Sequence, residues 1–159
     1  MSAEKIQIGV SEVLQFAIKI EENGWEFYRK VADTSNNEKI KELFIFLADE
    51  EIKHKEIFEG MLPEIEKYEP REIYPPEYFA YLRAYADNII FKKGIDKELS
   101  KKLDTLSIID FGIRMELDSI AYYHETQNFV PRNQQNVIDR IIEEERKHFV
   151  KLSELKKEL

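Results

Sequence analysis

The chain has three histidines, and two of them stand three residues after a glutamate: Glu51 with His54, and Glu145 with His148. On a helix, residues three apart lie side by side one turn along, so each pair presents a carboxylate and an imidazole to the same point. Both pairs interrupt apolar stripes. One reads Ile40, Phe44, Leu47, Glu51, His54, Phe58, Met61; the other reads Ile138, Ile141, Glu145, His148, Leu152, Leu155, Leu159. Steps of three and four keep each series on one helix face, the seam turned toward neighbouring helices. A carboxylate withdrawn from water costs several kcal/mol unless a partner neutralises it. Beside an imidazole, a metal ion is the economical partner.

Two further helices are needed to complete such a site, and the sequence supplies them. A first helix is predicted from Ser11, as N-cap, to Asp33, with the seam Val10, Leu14, Ala17, Glu21, Gly24, Tyr28, Val31. The polar turn Thr34-Ser35-Asn36-Asn37 folds the next helix back antiparallel, over about Glu38 to Met61, with Pro63 just beyond its end. A helix over about Thr105 to Val130 has the seam Leu106, Ile109, Ile113, Glu116, Ile120, Tyr123, Gln127, Val130; Pro131-Arg132-Asn133 turns it into a last helix from about Gln134. Glu21 and Glu116 are the single charges on their stripes, and each has a tyrosine seven residues later. Glu21, Tyr28, Glu51 and His54 recur as Glu116, Tyr123, Glu145 and His148 at offsets of 95, 95, 94 and 94. The chain therefore reads as a duplicated helical hairpin, each copy bringing its inward groups to one level.

Residues 62–104 differ in texture. Pro70, Pro75 and Pro76 break the first part, and a helix is predicted from Pro76 to about Phe91 with Tyr78, Leu82, Tyr85 and Ile89 on one face. Gly94 and a charged stretch to Asp104 follow. This is a long crossover whose aromatic face is expected to pack on the bundle or on a partner subunit; a lid over the site is the alternative.

Composition sets outer bounds. At 159 residues, 43% hydrophobic and 35% charged, the chain suits one amphipathic helical domain over residues 1–159. The absence of cysteine excludes disulfides, thiol catalysis, zinc-thiolate sites and cysteine-ligated iron–sulfur centres. A net charge of −8 argues against nucleic acid and anionic membranes. No apolar run of about 18 residues is present, so no membrane span is expected. The opening Met1-Ser2-Ala3-Glu4-Lys5 lacks a signal-peptide core, and a cytoplasmic location is expected by default.

Four ionised carboxylates and two neutral imidazoles carry a formal −4, which two divalent cations balance. An empty site could hold protons instead, with raised carboxylate pKa values. Mixed carboxylate and imidazole ligands suit iron or manganese; zinc can also bind. Glu21, Glu51, His54, Glu116, Glu145 and His148 are the predicted metal ligands. Two single Glu plus two Glu-x-x-His pairs is a known arrangement for inward-facing dimetal sites in helix bundles. Tyr28 and Tyr123 are either hydrogen-bond partners of ligands or core aromatics with a polar tip. Glu22 and His124 fall off the seams; Glu22 is expected at the surface, His124 in a surface or packing role rather than as a ligand, and Trp25 at the bundle edge. Gly24 permits close helix approach or leaves room for a small molecule.

These motifs, Glu21-Glu22-Asn23-Gly24-Trp25-Glu26-Phe27-Tyr28, Leu47-Ala48-Asp49-Glu50-Glu51-Ile52-Lys53-His54, Glu116 to Tyr123 and Glu145-Arg146-Lys147-His148, resemble those of the ferritin-like superfamily, and within it the rubrerythrin-like branch. The resemblance covers the four long helices and leaves the crossover unmatched. It implies an all-α, four-helix bundle with a long crossover containing a short helix, and a carboxylate-bridged di-iron centre. By the same resemblance Glu51 and Glu145 bridge the irons, and Glu21, Glu116, His54 and His148 are terminal ligands. The implied activity is reduction of peroxide or dioxygen. Two departures are visible. Rubrerythrins proper carry a further carboxylate one turn from the third-helix ligand, where Ile113 and Ser119 stand here, and their iron–sulfur domain is missing, so an external electron donor is needed. Ferroxidase-type iron handling and a purely structural or partner-binding bundle are the competing readings. A homodimer is expected, because relatives commonly associate and the crossover leaves aromatic surface to cover.

Overall fold

The structure is a computed structural model that describes residues 10–65, 67, 74–89 and 104–159. Among these residues it is all helix, with no strand: α1 (Val10–Thr34), α2 (Glu38–Ile65), α3 (Pro76–Ile89), α4 (Thr105–Thr126), a single 3-10 turn at Gln127–Phe129, and α5 (Arg132–Lys157). α1 pairs with α2 and α4 with α5; the two hairpins meet along α1 and α4 and along α2 and α5. This is a four-helix bundle with a long crossover whose described residues include a short helix, α3. None of the described helices is long and apolar enough to cross a membrane.

The turns explain the hairpins. Asn37 caps α2: its Oδ1 accepts from the backbone N–H of Lys39 (3.0 Å) and Ile40 (3.1 Å), two of the donors a helix start leaves unpaired. Asp104 does the same for α4, accepting from Ser107 N at 2.8 Å. Between α4 and α5 the chain extends at Val130 and Pro131, and the fixed φ of proline then launches α5.

Four sequence expectations are corrected. Ser11 lies inside α1 rather than capping it, since Val10 is already helical. Pro63 lies inside α2, which continues one more turn because Ile65 is fully buried; the turn before the proline is solvent-facing, with Glu59 and Gly60 exposed. The seam of α4 runs through Ile109, Gly112, Glu116, Ser119, Tyr123 and Thr126, not through Leu106, Ile113 and Ile120. A methyl group added at Gly112 would make ordinary contact with Leu152 at 3.4 Å and Tyr28 at 3.5 Å. Leu159 stands past the end of α5 and is exposed.

The crossover helix packs on the bundle. Phe79, Leu82 and Ala86 are buried in a cluster with Val13, Phe16 and Phe129, and Tyr78 and Tyr85 flank that face half-buried. The expected Ile89 side chain, Gly94 and the stretch 90–103 lie outside the described residues. A second apolar cluster, built on Phe27, Phe44, Leu47, Ile109 and Leu152, fills the other end of the bundle. The ionisable layer lies between the two.

Candidate metal centre

Glu21 on α1, Glu51 and His54 on α2, Glu116 on α4, and Glu145 and His148 on α5 are all buried, none more than 4% exposed. They converge in two overlapping groups. Glu21, Glu51, His54 and Glu145 each offer a ligand atom within 4.8 Å of the others, and so do Glu51, Glu116, Glu145 and His148. Glu51 and Glu145 belong to both groups. Each imidazole turns Nδ1 inward. His54 Nδ1 is 2.6 Å from Glu145 Oε1 and 3.5 Å from Glu21 Oε1. His148 Nδ1 is 3.6 Å from Glu116 Oε1 and 3.8 Å from both Glu51 Oε1 and Glu145 Oε2. The two rings lie nearly parallel, 19° apart, with centroids 5.9 Å from each other.

The donor set fits a pair of cations by what it leaves unpaired. Glu21 Oε2, Glu116 Oε2, Glu145 Oε1 and both Nδ1 atoms are buried without a hydrogen-bond partner. The 2.6 Å approach of His54 to Glu145 lacks the angular geometry of a hydrogen bond. An unsatisfied buried polar group costs about 1–3 kcal/mol, more when charged. Cations held between these oxygens and nitrogens would give every one of them a partner.

Proton affinities carry the same imprint. Burial, then the negative charge of neighbouring carboxylates, pushes Glu51 and Glu145 well above the usual carboxylate range. Burial also works against the Glu116 carboxylate, but the nearby Glu145 and His148 and the hydrogen bond from Tyr28 outweigh it and hold this group low. Burial disfavours the His54 imidazolium, yet contacts with Glu145 and Glu21 dominate and lift it to about 12. Without cations, then, the cluster retains protons as substitute positive charge.

Two tyrosines reach across the bundle. Tyr28 of the first hairpin donates to Glu116 Oε1 of the second at 2.5 Å, and Tyr123 of the second donates to Glu21 Oε1 of the first at 2.5 Å. Each bond occupies one carboxylate oxygen and leaves the other, Oε2, buried and unpaired. Tyr28 and Tyr123 are thus hydrogen-bond partners of the cluster rather than core aromatics alone. Burial first, and the nearby carboxylates second, keep both phenols protonated.

Sequence reasoning missed Glu144. Its Oε2 lies 2.5 Å from His54 Nε2, the outer nitrogen of that ring, and Glu50 lies close to both. Glu144 is off the α5 seam and 46% exposed at the side chain, so the periodicity, which selects Glu145, passes over it. The signal that could have found it is its place beside Glu145, aimed at the facing helix. With a cation bound, a carboxylate on Nε2 would keep the ring proton there and leave the Nδ1 lone pair to the metal. Glu22 pairs with Lys19 and Lys55 at the surface, His124 is exposed, and Trp25 is 38% exposed. Gly24 faces Glu51: a Cβ there would sit 3.2 Å from the Glu51 carboxyl carbon. Close approach, not a small-molecule cavity, accounts for this glycine. At the positions one turn from Glu116, Ser119 is buried with its hydroxyl on the Met115 carbonyl (2.8 Å), and Ile113 is half-buried.

Comparison with known proteins agrees with this geometry. Residues 12–156 match the profile of the rubrerythrin family. The fold is similar to a solved structure from Thermotoga maritima described as a ferritin-like diiron-carboxylate protein, at 31% identity and a TM-score of 0.68, covering 96% of this chain and 97% of that one. No curated protein matches the chain.

Proposed function

The chain belongs to the rubrerythrin family, and from that premise we propose that it is a di-iron oxidoreductase that reduces peroxide or dioxygen with electrons from an external donor. The observation that carries the reading is the pair of overlapping four-residue groups that share Glu51 and Glu145. In this assignment Glu21 and His54 would hold one ion, Glu116 and His148 would hold the other, and Glu51 and Glu145, common to both groups, would serve either. Bound and reduced, an iron pair supplies two electrons and the Lewis acidity to polarise an O–O bond. The protein's own contribution is position and dryness. Tyr28 and Tyr123 fix which oxygen of Glu116 and of Glu21 is free to bind. Glu144 fixes the His54 ring. Apolar clusters above and below exclude water. Glu51 and Glu145 hold protons in the empty site and release them when cations enter.

The test begins with metal analysis of protein purified without added metal, which should give two irons per chain in the wild type and a loss in Glu51→Ala. Anaerobic ferrous protein mixed with one equivalent of hydrogen peroxide should then turn ferric within the mixing time and turn over when a reductant is added. A centre inert to both peroxide and dioxygen would reject the reading. Uptake of many irons per chain would favour iron handling instead. Leu106 and Leu117, 45% and 47% exposed on the outer side of α4, support a homodimer built on that face, which sedimentation would test.

A further inference from the structure

The tyrosines form a row. Tyr123, whose phenol donates to Glu21, is followed by Tyr122 with ring centroids 6.5 Å apart. Tyr122 lies 5.5 Å from Tyr85 on α3, and Tyr85 lies 6.0 Å from Tyr81. Tyr81 stacks on Tyr78 at 6.4 Å with the planes 12° apart. Tyr123 and Tyr122 are fully buried, Tyr85 is half-buried and Tyr81 is 48% exposed. The rings therefore lead from a predicted metal ligand to solvent. Packing alone does not ask for phenols here, because phenylalanine would bury the same ring without a hydroxyl that needs a partner.

The hydroxyl partners differ along the row. Tyr123 donates to the carboxylate of Glu21, and Tyr78 donates to the carboxylate of Glu125. In between, Tyr122 donates to the Val13 carbonyl (3.0 Å) and Tyr85 to the Asp118 carbonyl (2.5 Å). A carboxylate can take a phenolic proton outright, whereas a peptide carbonyl cannot. A phenol loses an electron far more readily when its proton can leave at the same time. Tyr123 and Tyr78 are thus the two places where a missing electron can rest, and the rings of Tyr122, Tyr85 and Tyr81 bridge them. Tunnelling falls off exponentially with the gap, so short ring-to-ring steps outrun one long jump.

We infer that this row carries electrons, one at a time, from an external one-electron donor at the Tyr81–Tyr78 surface to the dimetal centre. The inference rests on the redox reading above and adds a stoichiometric need. Reducing dioxygen to two waters takes four electrons and four protons, and the ferrous pair holds two of those electrons. For each remaining electron, Tyr123 gives one inward and its proton shifts to Glu21. Tyr78 refills Tyr123 through the intervening rings, its own proton shifts to Glu125, and the proton on Glu21 returns to Tyr123. The donor then restores Tyr78, and Glu125 returns its proton. Every tyrosine ends unchanged, the donor is oxidised by one electron, and the four protons consumed come from water. Peroxide needs only two electrons, so the row is idle with one equivalent of peroxide.

Ferrous-loaded protein should be mixed with dioxygen in the absence of a donor, freeze-quenched and read by electron paramagnetic resonance. A tyrosyl radical is expected with dioxygen, and at least tenfold less of it with one equivalent of peroxide. Tyr78→Phe, a half-buried edge substitution, should abolish the outer radical and leave the signal on Tyr123. Tyr85→Leu should slow ascorbate quenching of the inner radical at least tenfold, while Tyr85→Phe, which keeps the ring, should behave as wild type. Circular dichroism and iron content check that the variants fold. Oxidation of the ferrous centre by dioxygen with no tyrosyl radical, or with quenching unaffected by Tyr85→Leu, would overturn the inference and leave the redox reading standing. A ferrous centre that dioxygen does not oxidise would overturn the redox reading, and the role of the row with it.

Discussion

A methyl group would do opposite things at Gly24 and Gly112, though both stand on helix seams. At Gly24 the new Cβ would meet the Glu51 carboxylate at 3.2 Å, tighter than ordinary contact. Gly24→Ala should therefore fold at least as well as wild type, since alanine favours helix by about 0.5–1 kcal/mol, yet weaken metal binding by displacing a carboxylate both positions use. Competition against a chelator should show a loss of roughly tenfold or more, the scale of supporting-shell changes at metal sites. At Gly112 the contacts would be 3.4 Å or longer, and Gly112→Ala should raise the denaturation midpoint with metal affinity unchanged. Glu144→Ala tests the orientation of His54: affinity should drop roughly 10–100-fold while the fold is unaffected, because the side chain is half exposed. An unchanged affinity would mean that packing alone orients the ring. The six inward groups were legible in the sequence because each breaks an apolar period. Glu144 was not, because a residue that acts across to a facing helix leaves no trace in the periodicity of its own.

At the scale of the element, turn chemistry and local packing decide where helices begin and end. Asn37 satisfies two backbone donors at the start of α2, and Asn37→Ala should cost about 1 kcal/mol in urea unfolding, with little effect on metal content. The four long helices could be read from their stripes. Their ends could not: the burial of Ile65 draws α2 through Pro63, and α1 already includes Val10, ahead of the expected cap at Ser11. The α4 seam was misread for a related reason. Hydrophobic periodicity favours isoleucine over glycine or serine, yet Gly112 and Ser119 are the residues buried on the inward face of α4. The crossover helix was placed correctly, and its packing on the bundle follows from Phe79, Leu82 and Ala86, one residue away from part of the expected face.

At the scale of the molecule, metal and stability are linked. In the metal-free state Glu51 and Glu145 bind protons more tightly folded than unfolded. Such a group stabilises the fold fully below its unfolded value of 4.5 and loses that contribution as pH rises through the raised folded value. His54 stabilises below 6.5 and loses its contribution as pH rises toward about 12. Glu116, held low, acts in the opposite sense, but only as pH falls below 4.5. The melting temperature of chelator-stripped protein should thus decline as pH rises above about 6.5, where both effects point the same way. Metal-loaded protein should melt higher, with the gap widening as pH rises, since cations compete with those protons. A metal-free form that grows more stable with rising pH would contradict this picture. The crossed phenols add an ancestral corollary. Tyr28 serves a glutamate of the second half, and Tyr123 serves one of the first. Neither half completes its own polar layer, yet two identical copies of either would complete each other's. A gene encoding one hairpin, working as a pair of like chains, would already have contained the whole centre before duplication joined the two.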